Sequence, residues 1–198
     1  MPHTAPVMDL TAPSPGPYTW DDFVALHEDD LRELIDGELV EVEVPTKAHE
    51  RIAFLIAYWL EAWAEPRSAG RAMGSGYKVR VTDRRGVMPD VQFFRTGNFP
   101  RGQQQGLVEG HPDLVVEVCA PSSVSYDRVT KLAWYAALGV PEFWIVDPAA
   151  RTLERLVLHD ARYTIADAMT GPVVFRPESF EGLELHLAKL WEVLDEPG

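Results

Sequence analysis

Two carboxylates interrupt apolar segments of this chain, and they are the residues best able to carry chemistry. Asp90 follows Pro89 and is flanked by Val87, Val91, Phe93 and Phe94, while Glu117 sits inside the run DLVVEVCA at 113–120. Strand alternation puts Asp113, Val115, Glu117 and Cys119 on one face, with Leu114, Val116 and Val118 on the other. A carboxylate in the body of a buried strand is costly unless it is paired or binds a metal. On neighbouring strands, Asp90 and Glu117 could share a hard divalent cation such as magnesium. The plainer alternative is an ion pair at a strand end.

Other groups carry weaker signals. Cys119 has no histidine nearby in sequence and reads as a small apolar residue rather than a nucleophile. His49 opens a helical segment, where the N-terminal dipole disfavours its protonated form; it is either a neutral hydrogen-bonding or base group, or a boundary residue. Asp127 and Lys131 are spaced i,i+4 and could form an exposed helix pair. Gly74-Ser75-Gly76 is too short for a phosphate-binding loop. Trp59, Trp63, Trp134 and Trp144 fall on apolar faces and belong to a core.

The elements that must hold these groups follow from local pattern. Residues 1–17 contain five prolines and read as a flexible tail, leaving 18–198 as a single domain. Thr19 and Asp22 form a capping box for a short helix reaching about Glu28. RELIDGELVEVEV alternates around Asp36-Gly37, a hairpin signal, with strands at Arg32–Ile35 and Glu38–Val44. A long helix starts at Thr46 and stops at Pro66. Tyr77, Val79 and Val81 mark a strand, Asp83 to Gly86 a turn, and VMPDVQFFR its partner strand; a loop covers Thr96 to Pro112. DLVVEVCA, a helix from Ser125 to Leu138 closed by Gly139, and EFWIVD make a right-handed parallel crossover. Strands at Thr152–His159 and Arg162–Asp167 and a last helix near Leu187–Leu194 complete an α/β domain with a mixed sheet and helices against it.

The chain has 198 residues, 46% hydrophobic and 25% charged, with one cysteine. These values exclude global disorder, a disulfide scaffold and a thiolate zinc cluster. No apolar run approaches the roughly 20 residues of a membrane span, and no secretory signal is visible, so a cytoplasmic location is expected. The net charge of −13 argues against a polyanionic partner. It is unevenly spread. Arg67 to Arg101 holds eight basic residues and two acids, giving +6 there and −19 elsewhere. That basic segment contains Asp90 and is expected to border the site.

Pro89-Asp90 followed by Glu117-Val118-Cys119 resembles a degenerate PD-(D/E)XK nuclease signature. The longer words ELIDGELVE, MPDVQF, PDLVVEVCAPSS and YDRVTKLAWYAALGVPEFWIVDP, with His49, resemble the Uma-two family of restriction-endonuclease-like proteins. The resemblance runs from about Tyr18 to the C-terminus. It implies a restriction-endonuclease-like core and a metal-dependent phosphodiesterase. Asp90 and Glu117 would hold Mg²⁺ or Mn²⁺, which polarises the scissile phosphate and activates a water. The motif's lysine position is Cys119 here, which cannot do that work. The resemblance implies that Lys131, from the following helix, takes its place, with Glu33 as a possible third acid and His49 secondary. Asp113 is structural. The implied partner is DNA, duplex rather than single strand by analogy alone, cut by a homodimer. The rival readings are a catalytically inactive binding or assembly module of the same fold, and a hydrolase of a small phosphodiester.

Overall fold

The computed structural model describes residues 16–27, 30–42, 44–100, 106–120 and 125–195; the expected tail falls outside it up to residue 15. Gly16 donates to the Asp36 carbonyl, so the chain is already tied to the hairpin there. Thr19 and Asp22 form the expected reciprocal cap of α1 (Trp20–Val24). This helix is shorter than expected. The buried Lys78 ammonium donates to the Phe23 carbonyl at 2.8 Å and the Leu26 carbonyl at 3.5 Å, gathering carbonyls at the helix end. β1 (Arg32–Ile35) and β2 (Glu38–Glu41) pair through Asp36 and Gly37, both at positive φ, as a two-residue hairpin of this kind requires.

Thr46 caps α2 (Lys47–Ala64) by accepting from the His49 amide, and a 3₁₀ turn containing Pro66 ends it. Ile52, Ile56, Leu60 and Trp63 make its buried face. Then come β3 (Gly70–Gly74), β4 (Lys78–Thr82), β5 (Arg85–Val87) and β6 (Val91–Arg95). The expected strand VMPDVQFFR is therefore two strands. Pro89 has no amide to donate to a ladder, and the chain leaves one sheet at Val87 and enters another at Val91. Asp90 lies at that crossing.

β7 (Gly106–Leu107) and β8 (Leu114–Val118) precede a π-helical turn at Tyr126–Lys131, which runs straight into α3 (Leu132–Leu138). Gly139, at φ 84°, closes the helix before β9 (Glu142–Asp147). β10 (Thr152–His159), β11 (Arg162–Thr170), β12 (Val174–Phe175), β13 (Leu185–His186) and α4 (Leu187–Asp195) follow. One sheet has the order β2-β1-β5-β4-β7 and the larger one β11-β10-β9-β8-β6-β3. β8 and β9 are parallel, as the strand–helix–strand pattern predicts, and the other pairs of the larger sheet are antiparallel.

The larger sheet separates two cores. Leu114, Val116 and Val118 pack with α2 and α4 on one face. Val115 and Cys119 pack on the other with Trp134, Tyr135 and the β4–β5 valines. Trp63, Trp134 and Trp144 are buried core residues. Among the described residues no helix is long and apolar enough to cross a membrane.

Candidate active site

The β6–β8 ladder sets the first two residues of the site. Val91, the first residue of β6, pairs with Val116, so Asp90 stands just outside the ladder, near enough to Glu117 to raise its pKa. Asp90 is fixed by its Oδ2, which accepts from the Val118 amide at 2.7 Å and lies 3.1 Å from His49 Nε2. His49 therefore has its ring on the carboxylate. Burial opposes its protonation, but the hydrogen bond and charge of Asp90 outweigh burial and raise its pKa.

Glu117 is buried and accepts from two side chains of the following helix. Tyr135 Oη donates to Oε1 at 2.5 Å, and Lys131 Nζ donates to Oε2 at 3.1 Å. Lys131 Nζ also lies 3.4 Å from Glu33 Oε1 and 3.6 Å from Asp127 Oδ1. Burial works against the ammonium, yet Glu117, Glu33, Asp127 and Asp90 together hold its pKa well above the usual lysine range. Burial is also the main reason the Glu117 carboxyl is pushed well above its usual range; Lys131 opposes this, while Asp90, Asp127 and Glu33 add to it. The exposed i,i+4 pair considered for Asp127 and Lys131 is not what forms. Both residues are buried, and the lysine is shared among three acids.

Glu33 comes from β1, its Oε1 accepting from the Met88 amide at 2.9 Å. Its Oε2 is buried without a hydrogen bond, and the Tyr126 hydroxyl faces it without closing a bond of good geometry. The structure thus gathers Glu33, His49, Asp90, Glu117 and Lys131 around one cleft of 680 Å³. Asp113 stays apart, accepting from the Arg95 amide and Asn98 Nδ2, a structural role as expected. Cys119 is buried, and desolvation pushes its thiol up to about 12, so it behaves as an inert apolar residue. Sequence reasoning named Asp127 only as an exposed partner of Lys131, and it missed Tyr135. Their only signal was i,i+4 spacing on either side of Lys131.

The basic segment borders the cleft through Ser75, Gly76, Met88 and Asp90, but its described cations do not line it. Arg71 pairs with Glu61, Arg80 with Asp83, and Arg85 with Asp36. Arg67, Lys78, Arg84 and Arg95 donate to backbone carbonyls elsewhere. Arg101 lies outside the described residues. Seven of the eight are thus placed, and none of those seven lines the cleft, whose acids are Glu33, Glu50, Asp90, Glu117, Asp127 and Asp147 against Lys131 and Arg151.

Hard carboxylate oxygens suit magnesium or manganese, and magnesium is commonly held by one or two carboxylates with several waters. Among the described residues no trio of His, Cys, Asp and Glu stands in ready-made metal geometry. Asp90 and Glu117 both line the cleft, and Glu33 Oε2 makes no hydrogen bond there.

A family model named Uma2 and described as "Putative restriction endonuclease" matches residues 20–188. Among solved structures, a crystal structure described as "a putative nuclease belonging to DUF820", from Anabaena variabilis ATCC 29413, is similar with a TM-score of 0.74. It is 20% identical, and the match covers 90% of this chain and 99% of that one. At that identity the likeness establishes the fold, a mixed α/β core flanked by helices. No curated protein matches the chain.

Proposed function

This chain belongs to the Uma2 family, and on that footing we propose that it is a metal-dependent endonuclease hydrolysing DNA phosphodiester bonds. The observation that carries this reading is Lys131 Nζ at 3.1 Å from Glu117 Oε2, on the acid that the Pro89-Asp90…Glu117 motif makes a metal ligand. The strand position where such a motif has its lysine is Cys119, and the helix delivers an ammonium beside the same carboxylate.

Asp90 and Glu117 hold the divalent cation in this reading. When bound, the ion polarises the scissile phosphate and lowers the pKa of a water. The protein groups then have distinct tasks. Lys131 keeps its proton and stabilises charge developing on the phosphate. Tyr135 and the Val118 amide fix the two carboxylates, and His49 orients Asp90. Glu33 restrains Lys131 from the opposite side. The excess of acid over base in the cleft supports a role for a cation, since the phosphate would otherwise meet carboxylates.

The test is cleavage of labelled DNA with Mg²⁺ or Mn²⁺ present and after chelation. Wild type is expected to cut only with metal, and Asp90→Ala to lose about 10²–10³-fold in rate. Equal activity of highly purified Asp90→Ala would sink the mechanism.

A further inference from the structure

We infer that the cleft takes the phosphodiester of unpaired nucleotides, in a DNA single strand or in a free dinucleotide, and not a paired duplex. This rests on the nuclease reading above and names its substrate class.

Charge is the first argument. A duplex-binding surface that makes 6–10 phosphate contacts needs a comparable set of Lys and Arg. Here the cleft offers Lys131, held among Glu33, Glu117 and Asp127, and Arg151, paired with Asp195 at 2.5 Å. The seven described cations of the basic segment are engaged within the fold, away from the cleft. A row of duplex phosphates approaching this mouth meets the exposed Glu50 and the half-buried Asp90 and Asp147, with Glu33, Glu117 and Asp127 buried behind them.

Depth is the second. Lys131 and Glu117 side chains are 8% and 3% exposed, so a reacting phosphate has to descend to them. Duplex DNA is stiff over tens of base pairs, so one of its phosphates cannot leave the line of the backbone to enter a recess. An unpaired phosphodiester enters without that restraint.

The walls are the third. Leu31, Val42, Val44, Pro45, Met88 and Leu194 line the cleft, and Val44 is 73% exposed at its rim. Aliphatic side chains of this kind cover the face of a base that is no longer stacked. At 680 Å³ the cleft is of the size that encloses a small ligand, whereas a duplex would have to lie across its mouth.

The experiment compares one sequence in three forms: a dinucleotide, a short single strand, and that strand annealed to its complement. With Mn²⁺, hydrolysis of the single strand is expected to exceed that of the duplex by about tenfold or more per bond. Turnover of the dinucleotide at a similar rate would assign the free compound, and its exclusion would assign the single strand. Equal or faster duplex cleavage overturns the inference. If no form is cut, the nuclease reading fails, and binding decides the inference separately. Fluorescence anisotropy in Ca²⁺ is then expected to show single-strand preference with a shallow salt slope of about −1.4, for two cations at −0.7 each. Duplex preference, or a slope of about −4 or steeper, overturns it. Val44→Asp, on an exposed position, is expected to weaken single-strand binding about fivefold with an unchanged melting temperature; unchanged affinity counts against the walls as the base-binding surface.

Discussion

The larger sheet holds two buried charge clusters, and only one of them looks like a site. At the β9–β10–β11 side, Glu142 receives Trp144 Nε1 at 2.6 Å, Arg155 Nη1 at 3.3 Å and the Ser179 hydroxyl. Arg155 Nε also donates to Asp167 at 2.6 Å. Every charge there has a partner and both Glu142 oxygens are bonded. At the β6–β8 side, one lysine serves three acids, a fourth acid leans on a histidine, and Glu33 Oε2 has no partner. A closed network contributes to the fold. An overloaded and incompletely bonded one, open to a cleft, is arranged for something that arrives later.

That contrast is broken most sharply by removing one cation from each cluster. Lys131→Met is expected to lower metal-dependent cleavage by about 10²–10⁴-fold, the usual range for a proton-handling or charge-stabilising group. Arg155→Met is expected to cost about 3 kcal/mol of stability, because it strands Glu142; the figure sits at the low end because Asp167 is partly open to solvent. Urea denaturation together with rates measured on the folded fraction separates the two outcomes. A reversed pattern, with Arg155→Met losing rate and Lys131→Met losing only stability, would reverse the assignment of the clusters.

The next effect is on pH dependence. Glu117 holds its proton to higher pH in the folded than in the unfolded chain. The folded state therefore binds more protons between the ordinary carboxyl range and the raised value. The associated stability is present below the unfolded pKa and is lost as pH rises through the folded one. Metal-free wild type is thus expected to lose melting temperature relative to Glu117→Gln as pH rises from 5 to 8. Parallel curves for the two proteins would show that Glu117 is ionised throughout. The smallest expected effect belongs to Tyr135→Phe, which removes one hydrogen bond to Glu117 and should cost about 0.5–1.5 kcal/mol in urea unfolding. The matching loss on the balanced side, Ser179→Ala, is expected in the same range.

Features set by neighbours in sequence were legible in the chain, and those set by distant neighbours were not. Thr46 at the start of α2, Asp36-Gly37 in the hairpin and Gly139 after α3 each act within a few residues, and each sits where local chemistry puts it. The parallel β8–β9 crossover followed from the same kind of pattern. Alternation could not tell which sheet a strand joins, so the change of sheet at Pro89 went unseen. The arginines taught a similar lesson. Their clustering in sequence suggested a basic surface, but Arg84 spends its charge on Gly16, 68 residues away, and Arg95 on Ser179, 84 residues away. For the site itself, family resemblance selected Asp90, Glu117 and Lys131. It could not show that Lys131 is buried among acids, because an i,i+4 pair with Asp127 is compatible with either face of a helix.

The π-helical turn before α3 gives this arrangement an unusual sensitivity to chain length. With bonds running i→i+5, Lys131 comes back over the ring of Tyr126, its Nζ 5.3 Å from the centroid, while Asp127 and Lys131 line the cleft and Tyr135 reaches Glu117 from the core. Such a turn accommodates one residue more than an α-helix does over the same rise. Excision of a single residue between Ser125 and Lys131 would let the segment relax to ordinary α-helix and swing the ammonium off Glu117. Glu33, Asp90 and Glu117, which come from other elements, would remain in place. A one-codon deletion is therefore a route by which this fold could be disarmed and kept, with no active-site residue substituted.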